Sequence, residues 1–398
     1  MTSPASRAGT RRARLTALDV TRSAAILGMI AVHVGGDLIN RTTGLWHLLG
    51  QASGYAAGLF AVVAGVGISI GLPARFEDQQ QERRAVVAML LRGAVLFVLG
   101  LLVEPLSGGV LTILCVYGAL FPLAVLARRL PAAGLAALGG LLLVAWPVVS
   151  LLIRRDLGPH GPLEVKIDDL FTDPGGVLRT LFLDGMYPVP TWLSLVLIAW
   201  AAHRAGWLQP GRTRELAWAA TTLGLLGFAG SRIAQALFQP QPAVLADLLR
   251  LGYSPRYAQL ELWHSYGVPA SQIWQALLIP ARHSGTPFEL LRILAVAAAI
   301  YLAATWLLRT PSAPAIVWLG MPGRIALTLY VTHLLLLISF DWAWLDAGNP
   351  AVAATAVVVV LWTLAFALGW WLRNERGPIE SLVHTVSRPW QWSRPTPA

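Results

Sequence analysis

The chain has 398 residues, 56 % hydrophobic and 13 % charged, and its 30 basic against 20 acidic residues give a formal net charge of +10. Apolar runs of about twenty residues recur along its whole length, which excludes a soluble globular domain and, lacking ten-residue alternation, a membrane barrel. The positive charge is nearly all arginine, with Lys166 the single lysine, and it gathers in alternate short loops; topology explains it, and no nucleic-acid partner is expected.

The fold class expected is an all-α polytopic membrane protein of about ten transmembrane helices, one transmembrane domain over 18–372. The predicted spans are 18–39, 51–72, 84–103, 110–128, 134–153, 189–206, 215–237, 288–307, 316–340 and 352–372. Residues 1–17 form a basic cytoplasmic segment; the apolar stretch after it is too long for a signal peptide and is read as a retained first span. The C-terminal tail, 373–398, holds a short amphipathic stretch and then a Pro-rich end. Arg7, Arg11, Arg12 and Arg14, then Arg75, Arg83 and Arg84, Arg128 and Arg129, Arg204, Arg212 and Arg214, Arg309, and finally Arg373 and Arg376 all fall on one side. Both termini are therefore expected in the cytoplasm.

The first span, LDVTRSAAILGMIAVHVGGDL, carries Asp19, Arg22, His33 and Asp37 within roughly a quarter of the helix circumference. Ionisable groups inside a bilayer are costly unless they face protein or a water-filled cavity, so this stripe marks an inward-facing seam. His33 and Asp37 at i,i+4 suit a carboxylate-supported imidazole, or else a packing histidine bonded to another span. His47 follows in the short outer loop, as either an interfacial or a catalytic residue. In the second span, Gly54, Gly58, Gly65, Gly67 and Gly71 predict close helix packing, expected against the first span, or else a glycine lining for a ligand channel.

Two extracytoplasmic connections, 154–188 and 238–287, are too long to be simple links. They carry Asp184, Tyr187, His264 and His283 among Pro, Gly and aromatic residues, and form either a substrate vestibule or a structural cap. Glu289 and Arg292 open the eighth span as a second polar pair, read as substrate-facing or as an intrahelical ion pair. Arg324 enters the ninth span at the depth of Arg22, and His333 lies near its middle. Asp19, Arg22 and Arg324 make the inner end basic, able to hold donor phosphates or to serve assembly. Histidine spacings match no compact metal motif and Cys115 is the only cysteine, so no metal is expected. Phosphate-binding glycine loops, nucleophile elbows and dinucleotide fingerprints are absent.

ALDVTRSAAILGMIAVHVGG followed by LFAVVAGVGISI resembles the heparan-alpha-glucosaminide N-acetyltransferase-like membrane acyltransferases. LGMPGRIALTLYVTHLLLL with GPIESLV resembles a related bacterial membrane family of largely undetermined function, and LFLDGMYPVPTWLSLVLIAW and HSGTPFELLRILAVAAAI look like its members too. The resemblance implies a multi-pass protein of the bacterial cytoplasmic membrane, with acetyl-CoA or another acyl-CoA as cytosolic donor. It implies an amine or hydroxyl acceptor on the far side, a small molecule, sugar or lipid, with membrane lipids as partners and a homodimer left open. His47 takes the place of the animal enzyme's catalytic histidine; Ser23 stands where that family has glycine, and His33 where it has asparagine. In the resulting mechanism His47 or His33 is the general base, Asp37 orients it, and Arg22 and Arg324 beside Asp19 hold the donor. A proton-coupled transporter or flippase and a non-catalytic assembly protein are the competing readings.

Overall fold

The computed structural model describes residues 4–35, 54–157, 161–338, 350–373 and 376–388. Every regular element among them is helical. Helices α1 (Pro4–Gly35), α2 (Ala56–Gly71), α3 (Gln79–Val103), α4 (Leu114–Leu126) and α5 (Ala132–Arg154) open the chain. A short helix α6 (Pro174–Arg179) runs through a π turn, Thr180–Asp184, and bends by 48° into α7 (Val189–Arg204). Next come α8 (Thr213–Gly224), α9 (Ser231–Phe238), α10 (Pro240–Arg250), α11 (Pro255–Glu261) and α12 (Pro287–Leu307). The last third holds α13 (Ala313–Leu319), α14 (Met321–Arg324), α15 (Ala326–Ile338), α16 (Pro350–Leu372) and α17 (Pro378–Ser387).

Four described helices are long and apolar enough to cross a bilayer: Leu15–His33 of α1, α3 with its following turn, α5, and α12; the bent pair α6–α7 makes a fifth. α2, α4, α15 and Val358–Leu372 are shorter apolar helices. The protein is thus an integral membrane protein by its helices, while one expected span is broken. Residues 213–238 stay helical throughout, with a π turn at Leu225–Gly230. The expected span 316–340 breaks into α13, α14 and the start of α15, because Pro322 has no N–H to continue the ladder. The two long connections are themselves helical in part, and α10 and α11 form a small packed cap around Val244, Leu248 and Ala258.

Arg204 shows how the arginine-rich end is held. Its guanidinium donates to the carbonyls of Arg128 (3.0 Å), Leu130 (2.5 Å) and Leu72 (3.0 Å), and lies over the buried Trp200 ring. One cation thereby serves the orphan carbonyls at the ends of α2 and of the α4–α5 turn. At the opposite end, Arg154 of α5 donates to Pro269 O (2.8 Å) and Ser150 Oγ (3.2 Å), fastening the cap.

The glycines of α2 were expected against α1, but Gly65 and Gly58 meet α7 and α12, and Gly71 meets Met89 of α3. A Cβ on Gly65 would lie 2.3 Å from Val196 O of α7, and one on Gly58 would lie 2.5 Å from Ile293 of α12. Gly67 has nothing within 4 Å. Gly65→Ala should therefore lower stability by about 1–3 kcal/mol through overpacking. Gly67→Ala, on the same helix, should be neutral or gain up to about 1 kcal/mol of helix propensity. Thermal unfolding of the two purified variants in one detergent checks this; a Gly65→Ala protein as stable as the parent would rule out so close an α2–α7 approach.

Candidate functional site

The polar stripe of α1 meets α14 and α15. Arg22 pairs with Asp19 at 2.9 Å and donates to Gly323 O at 3.2 Å, while Ser23 Oγ accepts from Gly323 N at 2.7 Å. A Cβ on Gly323 would fall 2.0 Å from Asp19 O, so only glycine permits this approach. Arg324 is exposed and within electrostatic reach of Asp19. Eleven residues further along α1, about 16 Å of helix, His33 Nδ1 sits 2.9 Å from His333 Nε2 of α15.

The imidazole pair has a defined polarity. His333 Nδ1 lies 3.1 Å from Leu329 O. A carbonyl can only accept, so Nδ1 carries the proton and Nε2 of His333 is an acceptor. His33 Nδ1–H then donates to it, which leaves the lone pair of His33 on Nε2. The rings are nearly coplanar (13°) with centroids 5.2 Å apart, the arrangement of two imidazoles joined edge to edge. His333 is wholly buried. It fixes tautomer and ring orientation for His33 as an outer partner fixes a catalytic or metal-bound histidine.

His33 lines a cavity of about 170 Å³ together with Met29, Met186, Tyr187, His264 and His283. The last two come from adjacent backbone segments: Ser265 N donates to Arg282 O (2.8 Å), Arg282 N to Trp263 O (2.9 Å) and Gly267 N to His283 O (2.8 Å). Gly267 has φ +91°, and a Cβ there would lie 2.0 Å from Gly185 O, so HSYG and LFLDGMYP meet backbone to backbone. His283 holds a left-handed φ of 57°, a strained conformation for this residue. Glu289 secures it, accepting from His283 N (2.6 Å), Gly285 N (2.7 Å) and Ser284 Oγ (3.2 Å). The imidazoles of His264 and His283 are 5.3 Å apart, and Tyr187 stands 6.1 Å from His283, edge to face. Burial, with the nearby Arg282 charge, pulls His264 down to about 4, so it is neutral at physiological pH.

The expected site residues thus divide. His33, Tyr187, His264 and His283 share one cavity. Glu289 shapes its wall, and Arg292 turns away to Gly227 O (2.9 Å) and Ser231 Oγ (2.5 Å), so the expected Glu289–Arg292 ion pair gives way to separate partners. Asp184 is buried and accepts from Arg179 Nη2 (2.6 Å) and Gly161 N (3.3 Å), folding the strap that delivers Met186 and Tyr187. Asp19, Arg22 and Arg324 sit at the other end, and between them and His33 the wholly buried Ile26 and Ile30 pack into the core. Asp37 and His47 lie outside the described residues. His333 was seen in the sequence without a role; its offset of 300 residues from His33 hides the pairing from any local spacing rule. No group of three or more His, Cys, Asp or Glu among the described residues suits a metal ion.

Residues 14–158, from within α1 to just past α5, match the family described as heparan-alpha-glucosaminide N-acetyltransferase, catalytic. Over that segment, short of half its length, the chain is similar to the heparan-alpha-glucosaminide N-acetyltransferase family. Residues 256–389, from α11 to the end of α17, match a family described as protein of unknown function (DUF418). No curated protein matches the chain.

Beneath the histidine pair, Glu261 Oε1 accepts from Ala270 N at 2.9 Å and supports the segment that follows His264. Burial raises this carboxyl to about 7 from an ordinary 4.5, with its hydrogen bonds only partly opposing. The folded state therefore takes up a proton between those values, and stability should fall as pH rises from about 4.5 towards 7. Glu261→Gln should remove about 2–3 kcal/mol of that fall, read as the difference between parent and variant in unfolding measured at pH 5 and at pH 8.

Proposed function

We propose that the chain is a membrane acyltransferase whose chemistry takes place in the histidine cavity, with His33 as general base. The observation that carries this reading is the ordered chain Leu329 O, His333, His33, which leaves a lone pair on a histidine lining that cavity. The match to an acetyltransferase catalytic family supports acyl transfer as the reaction class. In the proposed reaction the acceptor amine or hydroxyl gives its proton to His33 Nε2 as it attacks the carbonyl of the acyl thioester. The C–S bond then breaks, the acyl group passes to the acceptor, and the thiolate leaves to be protonated. His333 holds the base and shares the imidazolium charge; His264 and His283 border the acceptor, with His283 held by Glu289. His47, which the resemblance favours, and Asp37 complete the candidate set on the same outer side.

Acyl-CoA is the proposed donor. Exposed Arg324 and the part-exposed Arg22 are the groups proposed to meet its phosphates, although Arg22 already serves Asp19 and Gly323. The core packing of Ile26 and Ile30 separates this end from His33, so transfer from it requires α1 and its neighbours to part there. The same separation of two polar ends favours a second reading, a proton-coupled carrier that opens to one face at a time. Its protons would use the His33–His333 pair and no thioester would be consumed. Multi-pass insertion in a bacterial cytoplasmic membrane, with both termini inside, is part of the proposal.

Thiol release from acetyl-CoA by purified protein with a panel of amine and hydroxyl acceptors decides between them. His33→Ala should lose about 10²–10⁴-fold in kcat, the worth of a positioned general base. His333→Gln, which keeps a polar side chain but no orienting imidazole, should lose less in kcat, leave KM nearly unchanged and shift the pH profile. Full activity in His33→Ala with loss in His47→Ala would move the base to His47; acyl-CoA left intact alongside gradient-driven uptake would establish the carrier.

A further inference from the structure

A second and larger cavity, about 660 Å³, lies at the arginine-rich end, enclosed by α1, α2, α5, α7, α8 and α12. Its volume falls in the range of about 300–1,000 Å³ typical of ligand sites. Its walls are alanines and aliphatic residues, Ala136 of α5, Ala202 of α7, Ala220 of α8 and Ala298 of α12 among them. Two of the polar groups that reach it are already used: Thr21 Oγ1 donates to Ala17 O (3.0 Å) and Tyr301 Oη to Leu208 O (2.8 Å). With most of the wall alanine and aliphatic, what fills it is chiefly apolar.

Interiors close-pack, and a void of this size in a bilayer does not stay empty of hydrocarbon. Helix α8 packs on α12 but has no substantial interface with α5 or α7, so the cavity has a side turned to the lipid. Along α7 it runs from Ile198 to Ala205, about 10 Å of helix, or some two-thirds of one leaflet's hydrocarbon of about 15 Å. Its outer rim is amphipathic and cationic. Trp207 lines it, Arg212 donates to the carbonyl of the lining residue Ala205 (2.8 Å) and pairs with Glu215 (3.0 Å), and exposed Arg214, in the first turn of α8 two residues before the lining Leu216, leaves the rim a net positive charge.

We infer that this cavity is a binding site for an anionic phospholipid of the surrounding bilayer, with an acyl tail between α7 and α8 and the phosphate at Arg212 and Arg214. The tail supplies the packing that the short alanine side chains leave out, and the rim arginines select the headgroup charge. This site is independent of the histidine cavity and of any acyl transfer there.

The test is native mass spectrometry and thermal unfolding of the full-length protein in detergent, titrated with dioleoyl phosphatidylglycerol or dioleoyl phosphatidylcholine. Phosphatidylglycerol should remain bound and raise the unfolding temperature, with affinity at least about fivefold above phosphatidylcholine, the effect of one arginine near an anionic headgroup. Arg212→Gln/Arg214→Gln should abolish the preference while tail binding survives. Ala202→Leu, and separately Ala298→Leu, should cut bound lipid of both kinds and leave each variant less responsive than the parent to added lipid. Because two single fillings at different walls are compared, misfolding of one leaves the other decisive. Equal affinity for the two lipids, or folded filling variants that retain as much lipid as the parent, would overturn the assignment.

Discussion

Three contacts tie α1 to chain almost the same distance away in sequence: Arg22 to Gly323, Ser23 to Gly323 and His33 to His333, at offsets of 301, 300 and 300 residues. A constant offset means that α1 and the α14–α15 segment run parallel and side by side. The physical demand behind it is simple. A helix that carries Asp, Arg, Ser and His through hydrocarbon must find partners for them, or the cost of burial prevents insertion. Here one neighbouring element meets that demand along more than two turns. The break at Pro322 and Gly323 belongs to the same solution, because it exposes a carbonyl and an N–H just where Arg22 and Ser23 need them.

The position of α15 is in turn fixed from the tail. Glu380 of α17 accepts from Leu327 N (2.7 Å) and Thr328 N (3.1 Å), and Thr328 Oγ1 also bonds its carboxylate. A carboxylate at the first turn of a helix satisfies orphan N–H groups and meets the positive end of the dipole. The GPIESLV segment is therefore a clamp on α15, five residues from His333. On the opposite side of the cavity Glu289 plays a comparable part for His283, gathering backbone N–H groups of a strained loop. Two carboxylates outside the cavity lining thus hold the backbone beside His333, the partner of His33, and that of His283, which lines the cavity.

Much of this was legible in the sequence, though unevenly. The stripe on α1 follows from helix periodicity alone, and its inward orientation from the cost of charge in a bilayer. The role of His333 did not follow, since pairing between helices three hundred residues apart depends on tertiary register that no local pattern records. Glu289 and Arg292 illustrate the same limit: their i,i+3 spacing allows an ion pair, but the loop amides on one side and the π turn of Leu225–Gly230 on the other compete for them and win. For Gly65 the need for close packing was legible but the partner was not, because a small residue specifies an approach and leaves its direction to the fold. His47 and Asp37 lie outside the described residues.

The two family matches acquire a structural meaning at the histidine cavity. The acetyltransferase match contributes α1 with His33, and the second match contributes His264, His283 and His333. Neither segment contains both histidines of the His33–His333 pair. Residues between them supply Met186 and Tyr187 through the strap anchored at Asp184. A cavity assembled from both ends of the chain can form only when the whole bundle has closed, so the polar cost of α1 and the geometry of His33 are settled in the same step. That coupling explains how a helix so poorly suited to hydrocarbon by composition can sit at the centre of a membrane protein: the groups that make it costly to bury are the ones that register the site.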